Sequence, residues 1–458
     1  MKVKARAQKK LVNDPRFQAV LILTKIDEEG AYSNVLLNDF YQDSEHTLKT
    51  VDMNLLVKLV YGVLQRKKTL DFYLAPLIQG KTLEVWLVNL LRLSIYQIIY
   101  LDRIPNHAII NEAVKISKLN SHQGLANLVN GVLRNFLRQQ PRSLDSIEDP
   151  IQFLTTKYSI DAWIVEDLVS SMGLDRAESL LNSLLQPPYL SARLVDPNLS
   201  QDQAIGILER EGFSVEAGRL SPKGIRAHGG NLVHSSLYRE GRLTIQDESS
   251  MLVAPLGKLQ GDERVLDACS APGGKATHIA QFLDKGHLTA LDISEYKLQR
   301  VHDHLERLGL DQRAETILAD AGKFMPADGE LYDRIYLDAP CSGLGLMRRK
   351  PEIKYEKRQE DIRNLADLQA SLLEHLQALL KPGGYLIYST CTLSRLENEN
   401  QMDSFLERHP NFQVDPISKG ELGEGKENIL TPQGWLRIWP DDYQTDGFFI
   451  TRLKKICN

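Results

Sequence analysis

Apolar residues recur at helical spacing through the first 140 residues. Leu55, Leu56, Leu59, Val60 and Val63 share one helix face, as do Leu83, Trp86, Leu87, Leu90, Leu91 and the Leu93–Ile95 run. Pro105 and Asn106 interrupt the pattern, and Glu112 to Lys118 resumes it. Leu125, Leu128, Val129, Val132, Leu133 and Leu137 then carry it to a stop at Pro141. This spacing predicts an all-α domain over residues 1–140. From about 145 to 240 the pattern mixes. A helix is predicted over Trp163–Leu185, a strand over Tyr189–Val195 after Pro187-Pro188, and a helix over Gln201–Gly212. Strand-like pieces follow at Phe213–Val215 and Gly230–Val233, which together read as a small α+β connector.

From residue 241 to about 456 strands and helices alternate. Val265–Cys269, His287–Asp292, Glu315–Asp320, Arg334–Asp338 and Gly384–Ser389 read as buried strands. Helices are predicted at Lys275–Leu283, Glu295–Leu308 and Leu365–Leu380 between them. That alternation predicts a parallel, doubly wound α/β sheet. Gly447–Leu453 reads as a late strand, antiparallel at the sheet edge.

Composition narrows the class. The 458 residues are 42% apolar, enough for a large core, but no run of about 20 apolar residues exists to span a bilayer. The basic start Met1–Lys10 is followed by an apolar run broken by Lys25, Asp27 and Glu28, unlike a signal peptide. Four cysteines in a chain this long do not form a disulfide framework. A cytoplasmic monomer is expected. The net charge of −5 hides an asymmetry: residues 1–140 hold 19 Lys and Arg against 12 Asp and Glu, the remainder 36 against 48. A basic module on an acidic body suits a polyanionic partner, though a basic solvated helix surface gives the same count. Arg66, Lys67 and Lys68 lie at one helix end, and Arg134 and Arg138 on one face.

Gly30-Ala-Tyr-Ser-Asn-Val, Leu59-Val-Tyr-Gly-Val-Leu, Leu93–Asp102, Ile109–Val114 and Asn130–Asn135 resemble the NusB-type RNA-binding helical domain. The resemblance implies RNA contact; the periodicity alone gives helices.

Candidate chemistry gathers at the predicted strand ends. Asp267-Ala-Cys269-Ser270-Ala271-Pro272-Gly273-Gly274-Lys275 closes the first strand and opens a helix. Adjacent glycines let backbone approach a ligand, and a helix N-terminus offers free N–H groups. The spacing fits neither phosphate-loop nor dinucleotide fingerprint. Asp292 ends the second strand, placed to accept hydrogen bonds from a ribose, and Asp320 the third, placed for an adenine edge. Each acid alone also reads as a turn cap. Together they describe a pocket for an adenosine without phosphates, such as S-adenosylmethionine. Cys341, after Asp338-Ala-Pro, and Cys391, after Tyr388-Ser-Thr, end two further strands; if those strands are neighbours, the thiols face one pocket. A lone strand-end cysteine reads as a small buried hydrophobe. A pair supports covalent catalysis, in which a thiolate nucleophile splits one hard step into two.

Asp267–Lys275, Asp338–Cys341, Arg348–Tyr355, Tyr388–Thr392 and Glu397-Asn-Glu399 resemble the NOP/Sun family of RNA 5-methylcytosine methyltransferases. With the NusB-like start, the likeness is to its RsmB (Sun) type, which acts on small-subunit ribosomal RNA. The resemblance implies a Rossmann-like methyltransferase domain using S-adenosylmethionine. It implies Cys391 as nucleophile, Cys341 in product release and Asp338 at the cytosine edge. Residues 269–275, Asp292, Asp320 and Asp338 would hold the cofactor, Lys275 near its methionine end. No metal is implied, and His302 and His304, two apart on a helix, point away from each other. The basic run Arg348, Arg349, Lys350, Lys354, Lys357 and Arg358 is read as a phosphate clamp, against a merely solvated loop. Arg193 reads either as an RNA contact or as a surface salt bridge. Departures from the family pattern fall at Lys350, where His is commoner, and at Leu184–Pro188. Rival readings are the same chemistry on transfer RNA, or an antitermination factor with an inert methyltransferase domain.

Overall fold

Spacing predicts helices, and where a cap is present it fixes the boundary. Asp14 opens the helix Pro15–Glu29 by accepting the N–H groups of Arg16 and Phe17; Gly30, at φ 65°, closes it and returns its N–H to the Ile26 carbonyl. The structure is a computed structural model describing residues 11–42, 48–139 and 141–457; the basic start Met1–Lys10 lies outside the described residues. Helices follow at Ser33–Gln42, Thr50–Gln65, Lys67–Leu74, Val85–Tyr100, Asn106–Asn120 and Gln123–Gln139. The predicted stripes meet in one core, where Leu56, Leu59, Val60, Val63, Leu87, Leu90, Leu91 and Leu133 are each 1% exposed or less. Burying one such side chain is worth about 1.5–3 kcal/mol. A Cβ at Gly62 would fall 2.0 Å from the Tyr96 ring, so glycine permits the close approach of Thr50–Gln65 to Val85–Tyr100.

The chain divides into two compact units: Met1–Leu185 with Met347–Glu356, and Gln186–Leu346 with Lys357–Asn458. The stretch 145–240 is therefore shared between them. Its helices, Pro150–Tyr158, Ala162–Met172 and Leu174–Ser183, fall in the first unit, and Gly173 (φ 80°) splits the helix expected over 163–185. Met347–Glu356 is seated in that same unit by buried polar contacts. Glu352 accepts the backbone N–H of Ser33 at 3.0 Å and its hydroxyl, Lys354 donates to Gln65, and the Tyr355 hydroxyl donates to the Leu64 carbonyl at 2.6 Å. The phosphate clamp expected here fails for two of its members. Arg348 is 3% and Lys354 0% exposed, because the apolar and polar residues of the segment seat it in the helical core. Burial pulls the Lys354 ammonium down to about 7, with Arg66 adding to the fall. Lys67 and Lys68 also spend their charge internally, on Asp27 and Asp161, both at 2.5 Å. Arg134 and Arg138 stay exposed, bonded to Asn130 and Asn135 of their own helix.

The second unit contains two sheets. The smaller is antiparallel, ordered β2-β3-β1-β4 from β1 (Leu190–Leu194), β2 (Val215–Ala217), β3 (Gly224–Ala227) and β4 (Leu243–Ile245). The strand expected at Gly230–Val233 is absent; Leu232–His234 forms a helical turn capped by Asn231. The larger sheet runs β10-β12-β9-β8-β5-β6-β7, with β11 also pairing β12. Its parallel strands are β5 (Arg264–Asp267), β6 (His287–Asp292), β7 (Ala314–Leu318), β8 (Tyr332–Asp338) and β9 (Leu380–Thr390). Val265, Leu266, Ile335, Leu337, Leu386 and Ile387 are each 0% exposed, as expected of strands covered on both faces. β12 (Phe448–Lys455) is antiparallel to β9 but not at the edge. The three-residue strands β10 (Phe412–Val414) and β11 (Leu436–Ile438), too short to show alternation in the sequence, both pair with it. No helix among the described residues is long and apolar enough to cross a membrane.

Candidate active site

The strand order sets the site. β5 comes first in sequence yet lies inside the sheet, with β6 and β7 on one side and β8 and β9 on the other. The winding direction therefore reverses between β5 and β8, and the crevice beyond the carboxyl ends there is where α/β sheets bind ligands. Asp267, Asp292 and Asp338 each end a strand, while Asp320 and Cys391 follow β7 and β9. In register, Asp338 pairs with Ser389, so the Cys341 and Cys391 loops leave adjacent strands together.

A cavity of about 350 Å³ opens at this crevice. Cys269, Ser270, Ala271, Pro272, Gly274, Lys275, Asp338 and Cys391 line it, all anticipated from the sequence. Gln246, Asp247, Ser249, Ser250, Leu346, Asp446 and Phe448 line it as well and were not anticipated. Asp247 accepts the Ser249 hydroxyl at 2.7 Å and the Asp446 N–H at 3.2 Å, tying the two new segments together. Gly273, Asp292, Asp320 and Cys341 do not line the cavity. Gly273 sits at φ 103° with Val301 Cα 3.1 Å from where a Cβ would be, so it forms the turn into helix Gly274–Phe282.

Charge in the crevice is arranged around Asp338. One oxygen accepts Lys275 Nζ at 2.6 Å and the other the Ser389 hydroxyl at 2.8 Å. Burial lowers the Lys275 pKa, but Asp338, then Cys391 and Asp267, outweigh it and leave it raised. The cation also lies 5.1 Å from the Phe448 ring centre. Asp267 is the anomaly. It is 1% exposed, and neither carboxylate oxygen meets a well-aligned donor. Burial lifts its pKa to about 7, Asp338 adding to the rise, and Lys275 and the Cys269 N–H opposing it. Burial, and then the Asp267, Asp338, Asp292 and Asp320 charges, push the Cys269 thiol up, making it a poor nucleophile.

The two loop thiols lie 3.4 Å apart. Cys341 is held well above the ordinary thiol pKa, first by its hydrogen bond to Cys391, then by burial and by the charges of Glu397 and Asp338. Cys391, on the cavity wall, neighbours the Lys275 cation instead. Asp292 accepts the N–H groups of Ala271 at 3.3 Å and Ser294 at 2.9 Å; Asp320 accepts that of Gly322 at 2.9 Å. Arg193 makes neither of the contacts anticipated for it. It is 0% exposed, donating to Gln246 at 2.6 Å and Thr277 at 3.2 Å and also to Gln281, so it braces a cavity wall. His302 is exposed and lies 3.3 Å from Glu306.

A parallel sheet reversing at β5/β8, with a glycine turn, the strand-end Asp338 and a thiol on one crevice, has the architecture of a Rossmann-like methyltransferase. Residues 254–454 match the family described as 16S rRNA methyltransferase RsmB/F, and residues 13–138 match the NusB family. The probable ribosomal RNA small subunit methyltransferase B of Bacillus subtilis (strain 168) is 40% identical over 441 residues, spanning 95% of this chain and 98% of that one. Ribosomal RNA small subunit methyltransferase B of Shewanella oneidensis is 33% identical over 436 residues, 93% of this chain and 96% of that one. The crystal structure of PH0851 superposes with a TM-score of 0.80 at 26% identity, covering 96% and 99% of the two chains. The chain belongs to the RsmB/F family of 16S rRNA methyltransferases, with a NusB domain at its start.

Proposed function

We propose that this protein methylates carbon 5 of a cytosine in small-subunit ribosomal RNA, using S-adenosylmethionine and a covalent cysteine adduct. The observation that carries this reading is the pair Cys341 and Cys391, 3.4 Å apart on adjacent strand ends, with Cys391 on the wall of the crevice shared by the glycine turn and Asp338. The residues present fit the cofactor. The crevice has the size of a small-molecule site, and the turn at Gly273–Gly274 leaves backbone close to it. Residues 269–275 with Asp292 and Asp320 would hold it. When bound, S-adenosylmethionine supplies an electrophilic methyl group.

The remaining chemistry belongs to the chain. The Cys391 thiolate adds to carbon 6 of cytosine, moving electron density to carbon 5, which takes the methyl group. The carbon 5 proton then passes to solvent water, the carbon 6–sulfur bond breaks and its electron pair returns to Cys391 as the thiolate. Cys341, 3.4 Å away and holding its proton, eases that departure by donating its S–H to the leaving sulfur. Asp338, fixed by Lys275 and Ser389, accepts the amino group at cytosine position 4 with a lone pair those bonds leave free. The base must be unpaired or turned out to enter such a crevice. The helical unit docks the RNA, with Arg134 and Arg138 as exposed phosphate contacts. The test is to incubate the protein with unmodified 16S rRNA and methyl-labelled S-adenosylmethionine and to digest the product. Label in 5-methylcytidine is expected; label on any other nucleoside overturns the reading.

A further inference from the structure

One buried carboxylate joins the two thiol loops. Glu397, 0% exposed, accepts four hydrogen bonds, none from a charged donor. Its Oε1 takes the backbone N–H of Ser342 at 2.8 Å and Gln369 Nε2 at 3.1 Å; its Oε2 takes the Ser342 hydroxyl at 2.5 Å and the Thr392 hydroxyl at 3.1 Å. Ser342 follows Cys341 and Thr392 follows Cys391. The same carboxylate thus grips the residue after each thiol. The Ser342 and Thr392 hydroxyls also lie 2.6 Å apart. Behind them, Tyr388 donates to the Glu397 carbonyl at 2.6 Å, and Asn398 donates to the Thr392 carbonyl at 3.1 Å. A network this fully satisfied rigidifies what it joins, and a buried charge in it has no cheap alternative arrangement.

We infer that Glu397 is the positioning residue that holds the Cys341 and Cys391 loops together and so fixes the separation of the two thiols. This deepens the covalent reading above and rests on it for its catalytic consequence. The geometric claim stands without it. Glu397→Gln can keep the clamp: the amide oxygen faces the Ser342 N–H and Gln369, and the NH₂ faces the two hydroxyls, which rotate to accept. Glu397→Ala cannot.

The test oxidises each protein with diamide and measures Cys341–Cys391 disulfide formation by peptide mass spectrometry. The thiols must close from 3.4 Å to about 2 Å, so the rate reports their positioning. Single-turnover methylation is read in parallel. Glu397→Ala is expected to form the disulfide about 10-fold more slowly and to lose about 100-fold in methyl transfer, the scale of an ångström misplacement. Its S-adenosylmethionine affinity should not change, and Glu397→Gln should stay near wild type in both rates. If Glu397→Ala does not fold, the double variant Ser342→Ala/Thr392→Val removes the two hydroxyl donors, two of the four bonds, and is read the same way. A folded variant lacking the clamp that cross-links as fast as wild type overturns the inference, as does a Glu397→Gln protein as impaired as Glu397→Ala. Slow cross-linking with unimpaired methylation leaves the clamp standing and overturns the covalent reading instead.

Discussion

The two halves of the parallel sheet end differently. On the β6 and β7 side, Asp292 and Asp320 are held by N–H groups of their own turns, contacts within a few residues or to the adjacent glycine loop. On the β8 and β9 side, Asp338, Cys341 and Cys391 are tied across loops, by Lys275, Ser389 and Glu397. Between them, Asp267 is buried without a well-aligned donor. The lesson is a division of labour. Local turns suffice to present acceptors to a ligand, whereas a reaction that needs two thiols and a carboxylate in register needs long-range ties.

Substitutions should separate the halves in size of effect. Cys391→Ala should lower single-turnover methylation about 10⁴-fold or more, since on the proposed covalent route it removes the nucleophile. Asp338→Asn should cost about 10²–10³-fold in the same assay, with cofactor affinity changed less than the rate. Either variant retaining wild-type rates would erase the distinction between the halves.

Asp267 supplies a pH signature. Its folded carboxyl titrates near 7, its unfolded one near the ordinary value of about 3.9. Between those values the folded state binds the extra proton, so stability falls as pH rises toward 7 and levels off above it. Unfolding in urea should therefore show wild type losing about 2–3 kcal/mol relative to Asp267→Asn between pH 5 and pH 8. Equal slopes for the two proteins would mean that this carboxylate is not destabilised. The smallest effect is expected at Asp292. Asp292→Ala should raise the KM for S-adenosylmethionine about 10-fold and leave kcat nearly unchanged, the loss of one charge-assisted hydrogen bond.

Much of this was readable in the chain. The helices of the first unit and the α/β alternation follow from period and spacing, and the NusB likeness from short motifs. The adjacency of the two cysteine-bearing strands, left open by the sequence, comes from the pairing of β8 with β9. What escaped lies in residues brought from afar. Gln246 to Ser250 and Asp446 to Phe448 reach the cavity from β4 and β12 flanks that carry no periodic signal of their own. Arg193, Arg348 and Lys354 look like surface cations in the sequence because charge there says nothing about whether an amide or hydroxyl waits to receive it. In the fold Gln246, Ser183 and Gln65 do so.

The central claim is that Cys391 attacks and Cys341 releases. Its most direct test mixes the Cys341→Ser variant with 16S rRNA and S-adenosylmethionine and resolves the products on a denaturing gel. A slow-migrating protein–RNA species should accumulate, and it should vanish when Cys391→Ala is added to the same chain. Rapid turnover with no such species, or an adduct that survives the loss of Cys391, would contradict the account.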